Sequence, residues 1–326
     1  MMSRRANMFW HCWEKFGILA ILVVALIVFA ILTPSILAAG NLLNVLARSA
    51  IVGIPALGMT FAICSGGFDL SVGSIVGLST CVWASALPVM GLFPATLLTL
   101  AVGAVCGLLN GLVITKLKIV TFVATLSMSM IFRGVALVYT DGSKQMLNRS
   151  EHPEAKFFSQ SVNVFGQQIQ LTQMLLLAAV FTVGYFLYRY TRFGVHTRSV
   201  GSNEASARTS GIRVDRTLIL VFVLTGATAA LSSLITASQL MQGAATLGVG
   251  FELEVITAAI LGGTSLAGGR GNVWGSLMAA VMLTLTRNGL NLLGLPDEYQ
   301  RLAIGIILLL ALAISGIQEL MKEART

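Results

Sequence analysis

Long apolar runs separated by short polar breaks organise the chain. They fall at 17–32, 47–64, 75–90, 92–114, 120–139, 171–188, 217–237, 255–263, 273–292 and 302–317. Most approach the roughly 20 residues that an α-helix needs to cross the hydrocarbon of a bilayer. The pattern predicts an all-α, polytopic transmembrane bundle of about ten spans. Residues 1–326 are then one membrane domain with no room for a second. The runs on either side of Gly66-Gly67 can also be read as broken helices.

Charge in the breaks sets the orientation. Lys116, Lys118, Arg270, Lys322 and Arg325 fall in breaks or tails that alternate with less basic ones. The most basic break carries Arg189, Arg192, Arg198, Arg208, Arg213 and Arg216 against Glu204 and Asp215. Short loops rich in Lys and Arg stay on the cytoplasmic side. Both termini are therefore expected inside. The 141–170 segment has balanced charge and is expected outside; around Phe165-Gly166 it alternates in a way that hints at a hairpin. Arg4, Arg5 and Lys15 before the first run resemble a secretion signal. That run is longer than the 7–15 residues usual for one, so an uncleaved first span is expected.

Composition agrees with this picture. Only 10% of residues are charged, against roughly 25% in soluble domains. The net charge of +8 sits in short loops without interleaved aromatics, so it reads as membrane orientation and not as nucleic-acid binding. Cys12, Cys64, Cys81 and Cys106 lie in or beside apolar runs, and neither a disulfide nor a metal is expected. No phosphate loop of the Gly-x-x-x-x-Gly-Lys-Ser/Thr type occurs, and His11, His152 and His196 form no nucleophilic triad with a serine and an acid. No catalytic residue, cofactor or enzyme activity is expected.

Within the basic break, Ser202 to Gly211 reads as a short projecting helix. Ser202 or Asn203 caps it, Ala205 and Ala207 favour it, and Gly211 ends it. It is either a handle for a soluble partner or a solvated loop. Charged residues near membrane depth also need a reason, because each costs about 2.5–3.5 kcal/mol to insert. Arg133, Arg287, Glu252, Glu254 and Asp69 are the candidates. They either surround a polar pathway or snorkel and pair with neighbouring helices. Asn110, Asn288 and Asn291 either line a pore or bond between helices. Gly53, Gly58, Gly73, Gly77, Gly103, Gly107 and Gly111 recur at close helical spacing and allow close helix packing. Finally, the stretch from Gly66 to Gly73 is echoed by the stretch from Gly262 to Gly269, a repeat or a coincidence.

Several ordered motifs carry a resemblance. They are the stretch from Gly58 to Ser74, Phe132-Arg133-Gly134, Arg192-Phe193-Gly194, the stretch from Asn203 to Ile212, Phe251-Glu252-Leu253-Glu254, the stretch from Leu261 to Gly275, and the stretch from Asn288 to Gly294. Together they resemble the monosaccharide-importer permeases of bacterial ABC transporters, the ribose/xylose/arabinose/galactose branch, over essentially the whole chain. Two departures are mild: Val120 stands where many of that family have proline or a small residue, and Ser206 where alanine is common.

The resemblance implies an inner-membrane permease that carries a monosaccharide, D-allose or a ribose-like pentose or hexose. Its implied partners are a periplasmic sugar-binding protein, a second permease copy and a cytoplasmic ATPase with fused nucleotide-binding domains. It implies that Asn203, Glu204, Ala205, Ala207, Arg208 and Gly211 couple to the ATPase. Gly66, Gly67, Asp69, Gly262 and Gly263 are expected to form structural or pathway turns. Arg133, Glu252, Asn288 and Asn291 are expected in the pathway or outer docking face. The alternatives are an ion-coupled secondary sugar transporter, which wants a titratable acid at mid-membrane, and a scaffold without transport.

Overall fold

The computed structural model describes residues 4–164 and 166–323. The helices are α1 (Arg4–Leu32), α2 (Ala39–Cys64), α3 (Val72–Met90), α4 (Leu92–Leu117), α5 (Thr121–Tyr139), α6 (Leu171–Tyr190), α7 (Arg192–Ser202), α8 (Glu204–Thr209), α9 (Val214–Leu240), α10 (Phe251–Leu261), α11 (Val273–Leu292) and α12 (Asp297–Glu323). Among the described residues six of them, α2 to α6 and α9, are long and apolar enough to cross a membrane. In α1 the described apolar stretch, Ile18–Leu32, is shorter. The expected eighth span differs from the sequence reading. Its helix α10 has 11 residues, about 16 Å at 1.5 Å per residue, roughly half the hydrocarbon thickness.

α2 and α9 form the centre. The apolar window of α2 is 83% buried, while those of α5 and α6 are 28% buried and turn apolar faces outward. α9 packs against α2, α3 and α4; α2 also meets α6, α10 and α11. Along α4, Gly103, Gly107 and Gly111 lie directly on the backbone of Phe222, Gly226 and Ile219 in α9. Spacing of four puts these glycines on one stripe, and the missing side chains let the two backbones touch.

Pro55 sits inside α2 and has no N–H to offer the carbonyl of Ile51. Ser232 of α9 supplies the donor instead: its hydroxyl donates to Ile51 O at 2.7 Å. α2 also starts earlier than the apolar run suggested, at Ala39, because Asn41 is held by donating to the Ile36 carbonyl at 3.0 Å. Arg48, the second residue of that run, therefore lies well inside a helix and not at its start.

The expected hairpin is present. β2 (Val162–Val164) pairs antiparallel with β3 (Gln167–Ile169), Val162 opposite Ile169, although Phe165 lies outside the described residues. The same segment is bound to the end of α9. β1 (Gln145–Met146) pairs with β4 (Gln242–Gly243), and Ser238 Oγ donates to the Ala155 carbonyl at 2.6 Å. Lys156 Nζ donates to the Gln239 carbonyl at 3.2 Å. Burial, and then the charge of Arg149, pull the Lys156 ammonium below its usual pKa.

The Pro55–Ser232 pairing predicts a coupling. Ser232→Ala strands a half-buried carbonyl and should cost about 1–3 kcal/mol. In a Pro55→Ala background, where the helix regains its own N–H, the same change should cost little. Thermal unfolding of the double-mutant cycle in detergent measures it; additive effects would refute the pairing.

Candidate functional site

At one end of the bundle α2, α9, α10 and α11 enclose a cleft of about 150 Å³. Its polar lining is Arg48, Gln239, Glu254, Thr284, Arg287, Asn288 and Asn291. The four residues from α11 recur at spacings of three and four, which places them on one helix face. Arg287 donates to Glu254 Oε1 at 2.6 Å. Asn288 and Asn41 exchange amide hydrogen bonds at 2.9 and 3.0 Å. Asn291 accepts from Gln300 Nε2 at 2.6 Å. Arg48 is exposed and makes no ion pair among the described residues, and Gln239 Nε2 is buried without an acceptor. The cleft thus offers amide and hydroxyl groups beside a neutralised ion pair, a lining that can hydrogen-bond an uncharged solute.

The structure divides the polar residues expected in the pathway or outer docking face. Asn288 and Asn291 line the cleft; Arg133 and Glu252 do not. Arg133 donates to the carbonyls of Ala245 and Leu247 and so pins the α9–α10 connection against α3. Glu252 is half-buried beside Gly73 of α3. Arg48, Gln239 and Thr284 were not singled out from the sequence. An arginine inside an apolar helix is the usual signal, but the apparent loop boundary at 47 hid Arg48.

Asp69 is wholly buried and lines neither the cleft nor the pocket at the other end. Its carboxylate accepts from Ser71 N at 2.9 Å, Ser71 Oγ at 2.6 Å and Thr225 Oγ1 at 2.8 Å, with Asn110 Nδ2 at 3.4 Å. Asn110 also donates to Ser71 Oγ at 2.7 Å. Donors from the α2–α3 turn, α4 and α9 therefore converge on one acid. Of the two readings of Asn110, bonding between helices is the observed one.

The glycine turns repeat in three dimensions. Gly66 (φ 91°) and Gly263 (φ 92°) each follow a helix in the left-handed region. After α2, Gly66 N bonds Ile63 O and Gly67 N bonds Ala62 O; after α10, Gly263 N bonds Ile260 O and Thr264 N bonds Ala259 O. Both are Schellman caps, in which a glycine beyond the helix end satisfies its last carbonyls. The sequence echo paired Gly66 with Gly262; the backbone pairs Gly66 with Gly263, one residue later. Gly262 instead lies against the backbone of Gly275 and Ser276 in α11.

At the opposite end from the cleft, the basic break is more ordered than a solvated loop. It holds α7, which the sequence did not suggest, and α8. Asn203, not Ser202, is the N-cap of α8, with Oδ1 accepting from Ser206 N at 2.8 Å. Gly211 (φ 81°) closes it with a third Schellman pattern, Gly211 N to Arg208 O and Ile212 N to Ala207 O. Ala207 is buried with Val200 and Val214, so α8 rests on α7 and on the base of α9. Asn203, Glu204, Ala205, Ser206, Arg208 and Thr209 face solvent. Arg208 bonds Glu204 and Asp215, each at 2.9 Å. Those two hydrogen bonds push its guanidinium pKa up. Exposed pairs add little stability; of the two, the Asp215 pair joins α8 to the first turn of α9.

Among the described residues no cluster of His, Cys, Asp and Glu could hold a metal ion. The family model described as "branched-chain amino acid transport system / permease component" matches residues 41–312. The chain belongs to this permease family. It is similar to the ribose import permease protein RbsC of Escherichia coli K12, 36% identical over 93% of this chain and 94% of that one. The RbsC of Bacillus subtilis 168 is 39% identical over 92% of each. The L-arabinose transport system permease protein AraH of E. coli K12 is 33% identical over 97% of this permease and 94% of its own length. No solved structure matches the permease. Family membership and the apolar helices make it a multi-pass protein of the bacterial inner membrane.

The Asp69 junction yields a test. Asp69→Leu leaves several buried donors without an acceptor and should cost about 1–3 kcal/mol for each. Asp69→Asn keeps the acceptor for Ser71 and should unfold close to the parent. Equal thermal midpoints for Leu and Asn would show that the carboxylate is not the anchor.

Proposed function

We propose that this permease is the membrane-spanning subunit of a binding-protein-dependent ABC importer that moves a monosaccharide inward. The sugar is D-allose or a ribose-like pentose or hexose. About ten segments cross the membrane with both termini in the cytoplasm. A second copy of the chain completes the pathway, a periplasmic sugar-binding protein delivers the sugar, and a separate cytoplasmic ATPase with fused nucleotide-binding domains drives the cycle. The observation that carries this reading is the end-to-end similarity to ribose and arabinose permeases. The layout supports it: a polar cleft at one end and an exposed, doubly capped helix at the other.

That layout suggests a mechanism. A sugar cannot cross hydrocarbon without leaving its hydroxyls unpaired. The cleft gives them Asn288, Asn291, Thr284 and Gln239 as partners. The 141–170 segment, fixed to the end of α9 that carries Gln239, and Glu252 near the start of α10 form the surface on which the binding protein docks. Closure of the ATPase moves α8. Because Ala207 and Arg208 hold α8 to the base of α9, the motion passes into a helix of 27 residues. That is about 40 Å of rigid rod, and it ends at the cleft. Bundles that alternate access rock around such a site.

The test is ATP hydrolysis in proteoliposomes containing the permease, its ATPase and its binding protein, against a panel of pentoses and hexoses. Hydrolysis should rise only when the binding protein is loaded with one sugar. Glu204→Lys, which reverses an exposed charge on α8, should assemble normally yet lose that stimulation by about tenfold, within the range of a coupling free energy. A variant that responds normally would remove the coupling role from α8. Uptake that follows a proton or sodium gradient with no ATPase present would overturn the importer reading in favour of a secondary transporter.

A further inference from the structure

At the α8 end, between α6, α7 and the 262–272 connection, lies an open pocket of about 300 Å³ that the proposed transport cycle does not use. Arg189, Arg198 and Arg270 line it, and no Asp or Glu does. None of the three makes an ion pair among the described residues. They come from three separate segments, and Tyr188 joins these. Its hydroxyl accepts from Gly271 N at 2.7 Å, which fixes the connection carrying Arg270. Its ring lies under the Arg198 guanidinium, 5.1 Å away, and meets Phe61 of α2 edge-on at 5.5 Å. The floor is thus a built surface and not a chance meeting of flexible side chains.

The mouth is aromatic. Tyr185 and Trp274 pack at 5.6 Å and both line it. Trp274 is about half exposed (49%); Val183, Phe186 and Tyr190 of α6 are exposed as well, and Tyr190 packs on Tyr185 at 6.1 Å. Aromatic side chains with one polar atom settle at the headgroup level of a bilayer. Three unpaired guanidiniums beneath such a rim form a cradle for a phosphate, which Arg binds through paired hydrogen bonds.

The geometry points to a phosphate-anion site here, filled by the headgroup of an anionic phospholipid whose chains lie along the exposed face of α6. Basic pockets between helices at the cytoplasmic surface take such headgroups. The leaflet assignment rests on the proposed cytoplasmic placement of α8; the site itself does not. Free phosphate has the same chemistry at the cradle but gains nothing from the apolar rim.

Unfolding of the full-length permease in detergent micelles tests this, with phosphatidylglycerol, phosphatidylcholine or inorganic phosphate added. Phosphatidylglycerol should raise the midpoint by a few degrees and saturate, and phosphatidylcholine should not. An Arg198→Gln/Arg270→Gln variant should lose the shift, and Lys116→Gln/Lys118→Gln, basic residues at the end of α4, should keep it. If the double variant folds poorly, Arg270→Gln alone, at an exposed position, should still retain less phosphatidylglycerol on purification by native mass spectrometry. Equal stabilisation by phosphatidylcholine, or an undiminished shift in the arginine variants, would overturn the site. So would no shift at all, the result expected if the pocket is reserved for an acidic segment of a partner protein. Inorganic phosphate matching the lipid through the same arginines would overturn the lipid and leave free phosphate as the occupant. Micelles have no sides, so these results do not depend on topology. Labelling of a cysteine introduced at Ser202 in intact cells tests the orientation separately.

Discussion

A polar group taken into a bilayer has no water to turn to, and the centre of this permease is arranged around that constraint. Pro55 frees a carbonyl in the most buried helix, and Ser232 of α9 answers it. Asp69 leaves the chain at the end of the same helix, and donors from three directions answer it, Thr225 of α9 among them. Both bonds tie α2 to α9. Apolar side chains gain little by meeting one another when lipid is the alternative. These directed bonds, with the glycine stripe that lets α4 lie against α9, therefore set which helices meet and in which register.

The same economy explains the two glycine turns. A helix that stops inside the protein leaves carbonyls without donors. Each Schellman cap supplies them from the next residues of the chain, and only glycine takes the required φ without strain. Beyond the caps the two paths diverge. After Gly66 the chain reaches α3 within a few residues; after Gly263 it takes a longer, turning path to α11. That stretch returns to the first cap: Gly269 N donates to the Cys64 carbonyl at 2.8 Å, and Gly201 of α7 lies against both residues. The short length of α10 is thus followed by backbone that bonds α2 and packs against α7.

Much of this was legible because it is written in local signals. The apolar runs located α2 to α6 and α9, the loop charge located the polar ends, and the Asn203 to Gly211 stretch announced α8 with both caps. The hairpin at 162–169 was visible from alternation alone. The features that stayed hidden depend on tertiary partners. Arg48 was passed over because it is the second residue of the apolar run that begins at 47, whereas α2 begins earlier, with the polar Asn41 and Asn44, and nothing local reveals that Asn288 waits for Asn41. Arg133 and Glu252 looked equivalent to Asn288 and Asn291, since all are polar residues at span ends. Only packing separates a side chain that bonds loop carbonyls from one that faces a cleft. The short α10 matches an apolar run of only nine residues, 255–263, and the Gly-rich chain that follows is turn and bend instead of helix. The polar helix α7 was masked by its arginines, whose buried neighbours Gly194, Thr197 and Val200 are too few to stand out.

Under the importer reading, the pairing inside the cleft bears on how transport works. Of its three charged groups, Arg287 and Glu254 already neutralise each other at 2.6 Å, with Arg48 left outside that pair, and Asn288 is already engaged with Asn41. A sugar entering there competes with bonds that exist without it, so its net gain is small. For a passage site this is an advantage, because a tightly held solute would have to be released against its own binding energy on every turn. Weak grip here shifts the burden of recognition to the protein that delivers the sugar, and leaves the permease to supply a polar surface and a rod. The rod is α9: Asp215 and Val214 sit under α8 at its start, Thr225 and Ser232 are bonded to the α2 side at its middle, and Gln239 reaches the cleft at its end. A displacement of α8 that left α9 in place would have to break the Arg208–Asp215 bond and expose Ala207. One that carries α9 with it keeps both, and alters the wall of the cleft.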